Sequence, residues 1–138
     1  MALLSGSAAS LRFTGYDLDP EELTQLLECA PTHAERKGQE SVGKVTGRKR
    51  TAPRGVWRLR AEPRTPGDLD AQIAEILDRL TDNTDVWRGL TSRYRADVFC
   101  GLFLKESNEG IDVTNRTLRK LADRNLTLSF DIYDASDD

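Results

Sequence analysis

Gly15-Tyr16-Asp17-Leu18-Asp19, followed by Leu23 and Leu26, returns 95 positions later as Gly110-Ile111-Asp112-Val113-Thr114, followed by Leu118 and Leu121. Each copy reads as a strand exit, a turn and a capped helix. A unit of that kind has to bury its helix against a sheet, so the echo predicts one shared sheet carrying a helix near each end of the chain. Leu23 and Leu118 are then expected to be equivalent buried anchors.

Outward from the first copy, Leu11, Phe13 and Gly15 alternate with Arg12, Thr14 and Tyr16, the period of a half-buried strand. Asp19 is a capping residue and Pro20 suits the first helical position; Leu23, Leu26 and Leu27 form the inward stripe of a helix expected to stop near Pro31. Further on, Trp57, Leu59 and Ala61 alternate with Val56, Arg58 and Arg60 in a second strand. Asp68 caps a helix striped by Leu69, Ile73, Ile76, Leu77 and Leu80, and a shorter helix from Asp85 groups Val86, Trp87, Leu90 and Tyr94. Those two helices are expected to pair as a hairpin.

The most apolar run, Ala96 to Leu104, predicts a central strand covered on both sides, with Val98, Cys100, Leu102 and Leu104 on one face and Phe99, Gly101 and Phe103 on the other. After the second copy, capped by Thr114, Leu126, Leu128, Phe130 and Ile132 alternate with Thr127, Ser129, Asp131 and Tyr133 in a last strand. Asp134 to Asp138 read as a frayed acidic tail. The order strand, helix, strand, two helices, strand, helix, strand predicts an α+β fold: a ferredoxin-like four-stranded sheet with helices on one face and an inserted helical hairpin. An open α+β sheet of different strand order is the alternative.

A length of 138 residues bounds this to a single domain, 1–138. Cys29 and Cys100 stand 71 apart with no CxxC spacing and are expected to be reduced core residues. Met1 to Ser10 lacks the basic start and apolar run of a signal or anchor, which predicts a cytoplasmic protein with no membrane contact. From Thr32 to Gly55 the apolar period vanishes, and between Arg36 and Arg54 seven Lys or Arg face one Glu, a net of +6, so the remainder carries −9 within a total of −3. This segment, 36–54, is expected to be a mobile basic loop.

Several chemistries are excluded. Gly38-Gln39-Glu40-Ser41-Val42-Gly43-Lys44 has the spacing of a phosphate-binding P-loop, but Val45 replaces the magnesium-binding hydroxyl, and Gly47 and Pro53 forbid the helix that must follow. His33 is the only histidine, which removes two-histidine metal sites and leaves a catalytic triad without a nucleophile elbow. No metal or cofactor is expected. Asp17 and Asp112 read as turn formers. If one sheet face is uncovered, Arg58, Arg60, Thr127, Ser129, Asp131 and Tyr133 make it a polar, ligand-capable surface.

Leu11 to Gly38, Val56-Trp57-Arg58-Leu59, Phe99 to Leu104, and Leu118 through Asp131-Ile132-Tyr133 resemble the bacterial family catalogued as domain of unknown function 4279. Its echoes here are Ala30-Pro31-Thr32 followed by Arg36-Lys37-Gly38, the strand residue Trp57, and the closing Phe130-Asp131-Ile132-Tyr133. The resemblance implies a small bacterial α+β domain and carries no catalytic residue with it.

The expected function is a non-catalytic interaction or regulatory module that binds a protein partner through its open sheet face and basic loop. Arg36, Lys37, Arg48, Lys49, Arg50, Arg54, Trp57, Arg58, Asp131 and Tyr133 are the expected contact residues. Nucleic acid or another polyanion on the loop is the second reading, though no aromatic residue interleaves the loop's cations to stack on bases. A small-ligand site or a carboxylate-using enzyme is the third.

Overall fold

A computed structural model describes residues 2–135. In chain order its elements are β1 (Ala2–Leu3), β2 (Gly6–Gly15), α1 (Pro20–Leu27), β3 (His33–Glu35), β4 (Glu40–Val42), β5 (Lys49–Thr51), β6 (Gly55–Arg60), α2 (Leu69–Asp78), α3 (Thr84–Arg93), β7 (Arg95–Phe103), β8 (Glu109–Gly110), α4 (Asn115–Asp123) and β9 (Thr127–Tyr133). Five of the strands form the main sheet, in the order β3-β6-β2-β7-β9. β2 is antiparallel to both neighbours, β3 is antiparallel to β6, and β7 and β9 run parallel.

The fold is mixed α+β, but the sheet is not the four-stranded ferredoxin-like one expected. Two strands account for the difference. β3, only three residues long, was hidden at the entrance of the basic segment. It runs parallel to β2 with β6 inserted between them, so β2-α1-β3 is the split β-α-β unit of the first half. β9, expected within a four-stranded set, is instead a fifth strand added beyond β7 at the edge. Nor is a helical hairpin the main packing unit of the insertion, because α2 makes its larger contacts with β2 and α4, and α3 with β7.

Local chemistry explains most element boundaries. Asp19 accepts from the Glu21 N–H at 3.1 Å to cap α1, Asp68 from Ala71 at 3.2 Å to cap α2, and Asn83 from Asp85 at 3.0 Å to cap α3. α1 ends at Glu28 rather than Pro31, with Glu28 in the left-handed region at φ 62°. β2 starts at Gly6, five residues before the alternation of large apolar residues begins, because Ser7 and Ala9 continue its inward row with small side chains.

Odd positions of β2 and β6 and even positions of β7 point to one side. There Leu11, Phe13, Trp57, Leu59, Val98 and Cys100 form one core with Leu23, Leu27, Ile73, Ile76, Leu77, Trp87, Leu90 and Leu121 from the four helices. Gln72 is the polar exception, fully buried on α2. Its Nε2 donates to the carbonyls of Ser7 at 3.0 Å and Glu62 at 2.8 Å, while its Oε1 accepts from the Ser7 hydroxyl at 2.5 Å. That hydroxyl accepts in turn from the Asp68 N–H at 2.9 Å, so one side chain ties α2 to the start of β2 and the exit of β6.

The two copies of the repeated phrase are not equivalent. Gly15 closes the ten-residue central strand, whereas Gly110 belongs to the two-residue β8, which pairs only with β1. Leu23 is fully buried, but Leu118 is 48% exposed. α4 lies over the edge of the sheet, and Thr117 and Leu121 suffice to fill its inward side. For the same reason Phe130 and Ile132, expected inward, are 47% and 62% exposed on the edge strand β9. Of the expected acidic tail, residues 136–138 lie outside the described ones.

Candidate recognition face

Among the described residues no helix covers the other side of the sheet. Strand register places its residues in rows: His33, Arg58, Arg12, Asp97 and Thr127 cross the sheet in one row, and Arg60, Ser10, Phe99 and Ser129 in the next. Glu35, Val56, Thr14 and Arg95 make a third. Basic side chains therefore converge from four strands that the sequence holds far apart.

At the centre, Arg12 makes a bidentate pair with Asp97, Nε to Oδ1 at 2.8 Å and Nη2 to Oδ2 at 2.6 Å, with its guanidinium carbon 4.3 Å from the centre of the Phe99 ring. Burial works to raise the Asp97 carboxyl, but the hydrogen bonds and charge of Arg12, helped by Ser129 and Arg95, hold it below its ordinary value. The hydrogen bonds to Asp97 raise the Arg12 guanidinium correspondingly, against the opposing effect of burial. Two contiguous clefts open beside the pair and share Arg12 and Arg58. One, of about 350 Å³, is lined by Arg60, His33, Thr32, Ser10 and Phe99 as well; the other, of about 320 Å³, adds Arg54, Arg95, Thr14, Val56 and Asp97.

The carboxylates of this face are already engaged. Glu35 takes Arg50 at 2.8 Å and lies 3.5 Å from His33; Asp97 holds Arg12; Asp131 accepts from the Tyr133 hydroxyl at 2.7 Å. By contrast, the side chains of Arg54, Arg58 and Arg60 find no hydrogen-bond or ion-pair partner among the described residues. Thr32 fixes the edge of β6, its N–H and hydroxyl donating to the Arg58 carbonyl and its Oγ1 accepting from the Arg60 N–H at 3.1 Å.

Trp57 aside, the expected contact residues divide into four groups. Arg54 and Arg58 line the clefts. Arg48, Lys49 and Arg50 lie on or beside an exposed β4–β5 hairpin, whose turn is closed by Gly43 N–H to the Arg48 carbonyl at 2.9 Å; Lys44 stands in that turn, where a P-loop would need a helix. Arg36 pairs with Asp19 at 3.3 Å and with Glu21, and Lys37 sits 3.5 Å from the centre of the Tyr16 ring, so these two cations of the segment are engaged within the molecule. Asp131 and Tyr133 occupy the far edge strand, separated from Arg58 by β2 and β7, with Tyr133 stacked on Phe103 at 4.8 Å.

Trp57 is a correction. It is fully buried, edge-on to Phe13 at 6.0 Å, with its indole N–H donating to Thr24 Oγ1 at 3.1 Å, and it presents nothing to a partner. Its parity in β6 is opposite to that of Arg58 and Arg60. Arg12, Arg95, Asp97 and Phe99 were missed. Their only sequence signal is their place at the off-core positions of apolar strands, and it becomes a site once β2 lies between β6 and β7.

Burial pushes the Cys100 thiol up to about 12, far from a thiolate at neutral pH. Among the described residues no group of three or more His, Cys, Asp or Glu could hold a metal ion, and no helix is long and apolar enough to cross a membrane. What the face can do is bind: fixed and free guanidinium groups on a rigid sheet suit carboxylate or phosphate oxygens.

Over residues 5–135 the chain matches the family described as Domain of unknown function (DUF4279), and it belongs to that family. No curated protein and no solved structure matches it.

Proposed function

We propose that this protein is a non-catalytic recognition module that binds an acidic segment of a protein partner on the open face of its sheet. The observation that carries the reading is the set Arg54, Arg58 and Arg60, unpartnered beside the Arg12–Asp97 pair in two joined clefts. Unpaired guanidinium groups on a strand scaffold form carboxylate forks at little cost in ordering, and charge complementarity of this kind directs encounter and register. An acidic peptide fits better than nucleic acid. The basic segment has Arg36, Lys37 and Arg50 occupied internally, and the Phe99 ring is covered by Arg12, which leaves no free aromatic among the cations to stack on bases. Cys29 and Cys100 are free thiols, which suits a reducing bacterial cytoplasm.

The test uses hexaglutamate and a mixed-sequence oligonucleotide as probes, titrated at low salt and followed by the NMR shifts of the arginine Nε–H groups. Hexaglutamate should shift Arg12, Arg58 and Arg60, and the double variant Arg58→Glu, Arg60→Glu should abolish the response while Arg48→Gln, Lys49→Gln leaves it intact. Tighter binding of the oligonucleotide, lost in the Arg48→Gln, Lys49→Gln variant, would move the function to the hairpin and refute the proposal.

A further inference from the structure

The main sheet ends very differently at its two edges. At one, β3 is three residues long and carries a histidine and a glutamate. At the other, β9 is seven residues long, Thr127-Leu128-Ser129-Phe130-Asp131-Ile132-Tyr133, with one charge, no proline and, among the described residues, no neighbouring strand beyond it. Edge strands are normally blunted by shortness, charge or proline, and β9 has almost none of that protection.

Its free backbone groups are identifiable. The Tyr133 carbonyl accepts from the Leu104 N–H at 3.1 Å, so Tyr133 turns its backbone toward β7, and by the two-residue alternation of a strand Asp131, Ser129 and Thr127 do too. Leu128, Phe130 and Ile132 consequently turn both their N–H and C=O groups outward. Phe130 and Ile132 are also large exposed apolar residues, on the side of the strand that faces the helices.

We propose that β9 pairs antiparallel with β9 of a second copy of this chain, about a two-fold axis at Phe130. The sequence of the strand is self-complementary in that register. Phe130 meets its own counterpart, and Leu128 and Ile132 meet each other on both sides of it, so every outward residue exchanges both backbone hydrogen bonds and the exposed apolar row becomes a shared one. On the opposite face Ser129 stands across from Asp131 and Thr127 from Tyr133, with no like charges directly opposed. Charge along the strand favours the same direction: the entry follows Arg124, the exit carries Asp131 and Asp134, and antiparallel pairing sets the exit of one copy beside the entry of the other. A shift by one residue would set the apolar row of one copy against Ser129 and Asp131 of the other, which selects this register. The product is one continuous sheet in which both arginine-lined faces point to the same side. The pairing stands independently of the acidic-partner reading, and its loss leaves the clefts untouched.

Sedimentation equilibrium of the full chain over a range of concentrations should return a dimer mass. Ile132→Lys should weaken the dimer about tenfold or more, since each lysine would face Leu128 of the second copy beside the shared apolar row. Unchanged far-ultraviolet circular dichroism would show the variant folded. Independently, Phe130→Cys in a Cys29→Ser background should cross-link to itself under mild oxidation much faster than Val45→Cys, a fully exposed control in the hairpin turn, because hydrogen-bonded antiparallel pairs hold their Cα atoms about 5.5 Å apart, within disulfide reach. A monomer at all concentrations, a dimer indifferent to Ile132→Lys, or cross-linking of Phe130→Cys no faster than the control would each overturn the proposal.

Discussion

Replacing Gln72 with methionine should cost this protein about 2–4 kcal/mol although the volume hardly changes. The figure comes from the bonds removed. Gln72 makes three side-chain hydrogen bonds, to the Ser7 carbonyl, the Glu62 carbonyl and the Ser7 hydroxyl, and each is worth about 0.5–1.5 kcal/mol net. The Ser7 carbonyl keeps the Arg64 N–H at 3.0 Å, so the penalty falls chiefly on the Ser7 hydroxyl, which loses its acceptor inside the core, and on the Glu62 carbonyl at the rim. Gln72→Ala adds a cavity to the same loss and should be worse by a further 1 kcal/mol or more. Urea unfolding followed by the fluorescence of Trp57 and Trp87, both fully buried, reports the midpoint directly. A Gln72→Met midpoint within about 0.5 kcal/mol of wild type would mean that packing alone fixes α2 to the start of β2, and the hydrogen-bond argument would fail.

The leucines of the repeated phrase should part company: Leu23→Ala, in the core, should lose about 2–5 kcal/mol, whereas Leu118→Ala, half exposed, should lose under about 1 kcal/mol, and equal losses in urea titrations would restore the equivalence the structure denies. Asp97 has its carboxyl lowered in the folded state, so the stability it contributes is complete above the ordinary aspartate range and disappears as pH falls through the folded value; Asp70, lowered by the Thr114 N–H and hydroxyl against the effect of burial, adds to the same trend. Urea midpoints measured down from pH 6 should fall below about pH 4, and Asp97→Asn should be weaker at neutral pH with a flatter acid limb; a variant as steep as wild type would remove Asp97 as a source.

Which parts of this could be read from the sequence follows from what each feature depends on. Caps and parity are local. Asp19, Asp68 and Thr114 sit at their helix starts because their side chains reach an N–H two or three residues away, and the alternation of Leu11 and Phe13 with Arg12 and Thr14 gave each residue its side of the sheet without any partner strand. β3 was illegible because three residues hold no period; it exists through its pairing with β6 and the Thr32 clamp. Leu118, Phe130 and Ile132 were misread for a related reason. Their apolar spacing is a helix's and a strand's own property, but whether it is buried depends on what lies beyond, and among the described residues no strand pairs with the outer side of β9.

The recognition face shows the same division at the level of chemistry. Arg58 and Arg60 stand out in β6 by parity alone, yet Arg12 and Asp97 are 85 residues apart and become a bidentate pair because β2 and β7 place them directly opposite in register. That pair in turn decides which cations remain available: it occupies the face's central carboxylate, Glu35 is taken by Arg50, and Arg54, Arg58 and Arg60 are left over beside the β3 edge and Arg95 on β7. The net +6 of residues 36–54 is a count along the chain, and such a count ignores neutralisation in space. Arg36, on Asp19 and Glu21, and Arg50, on Glu35, help fasten the hairpin to the body, and the guanidinium groups free to meet a partner belong mostly to the strands the hairpin flanks.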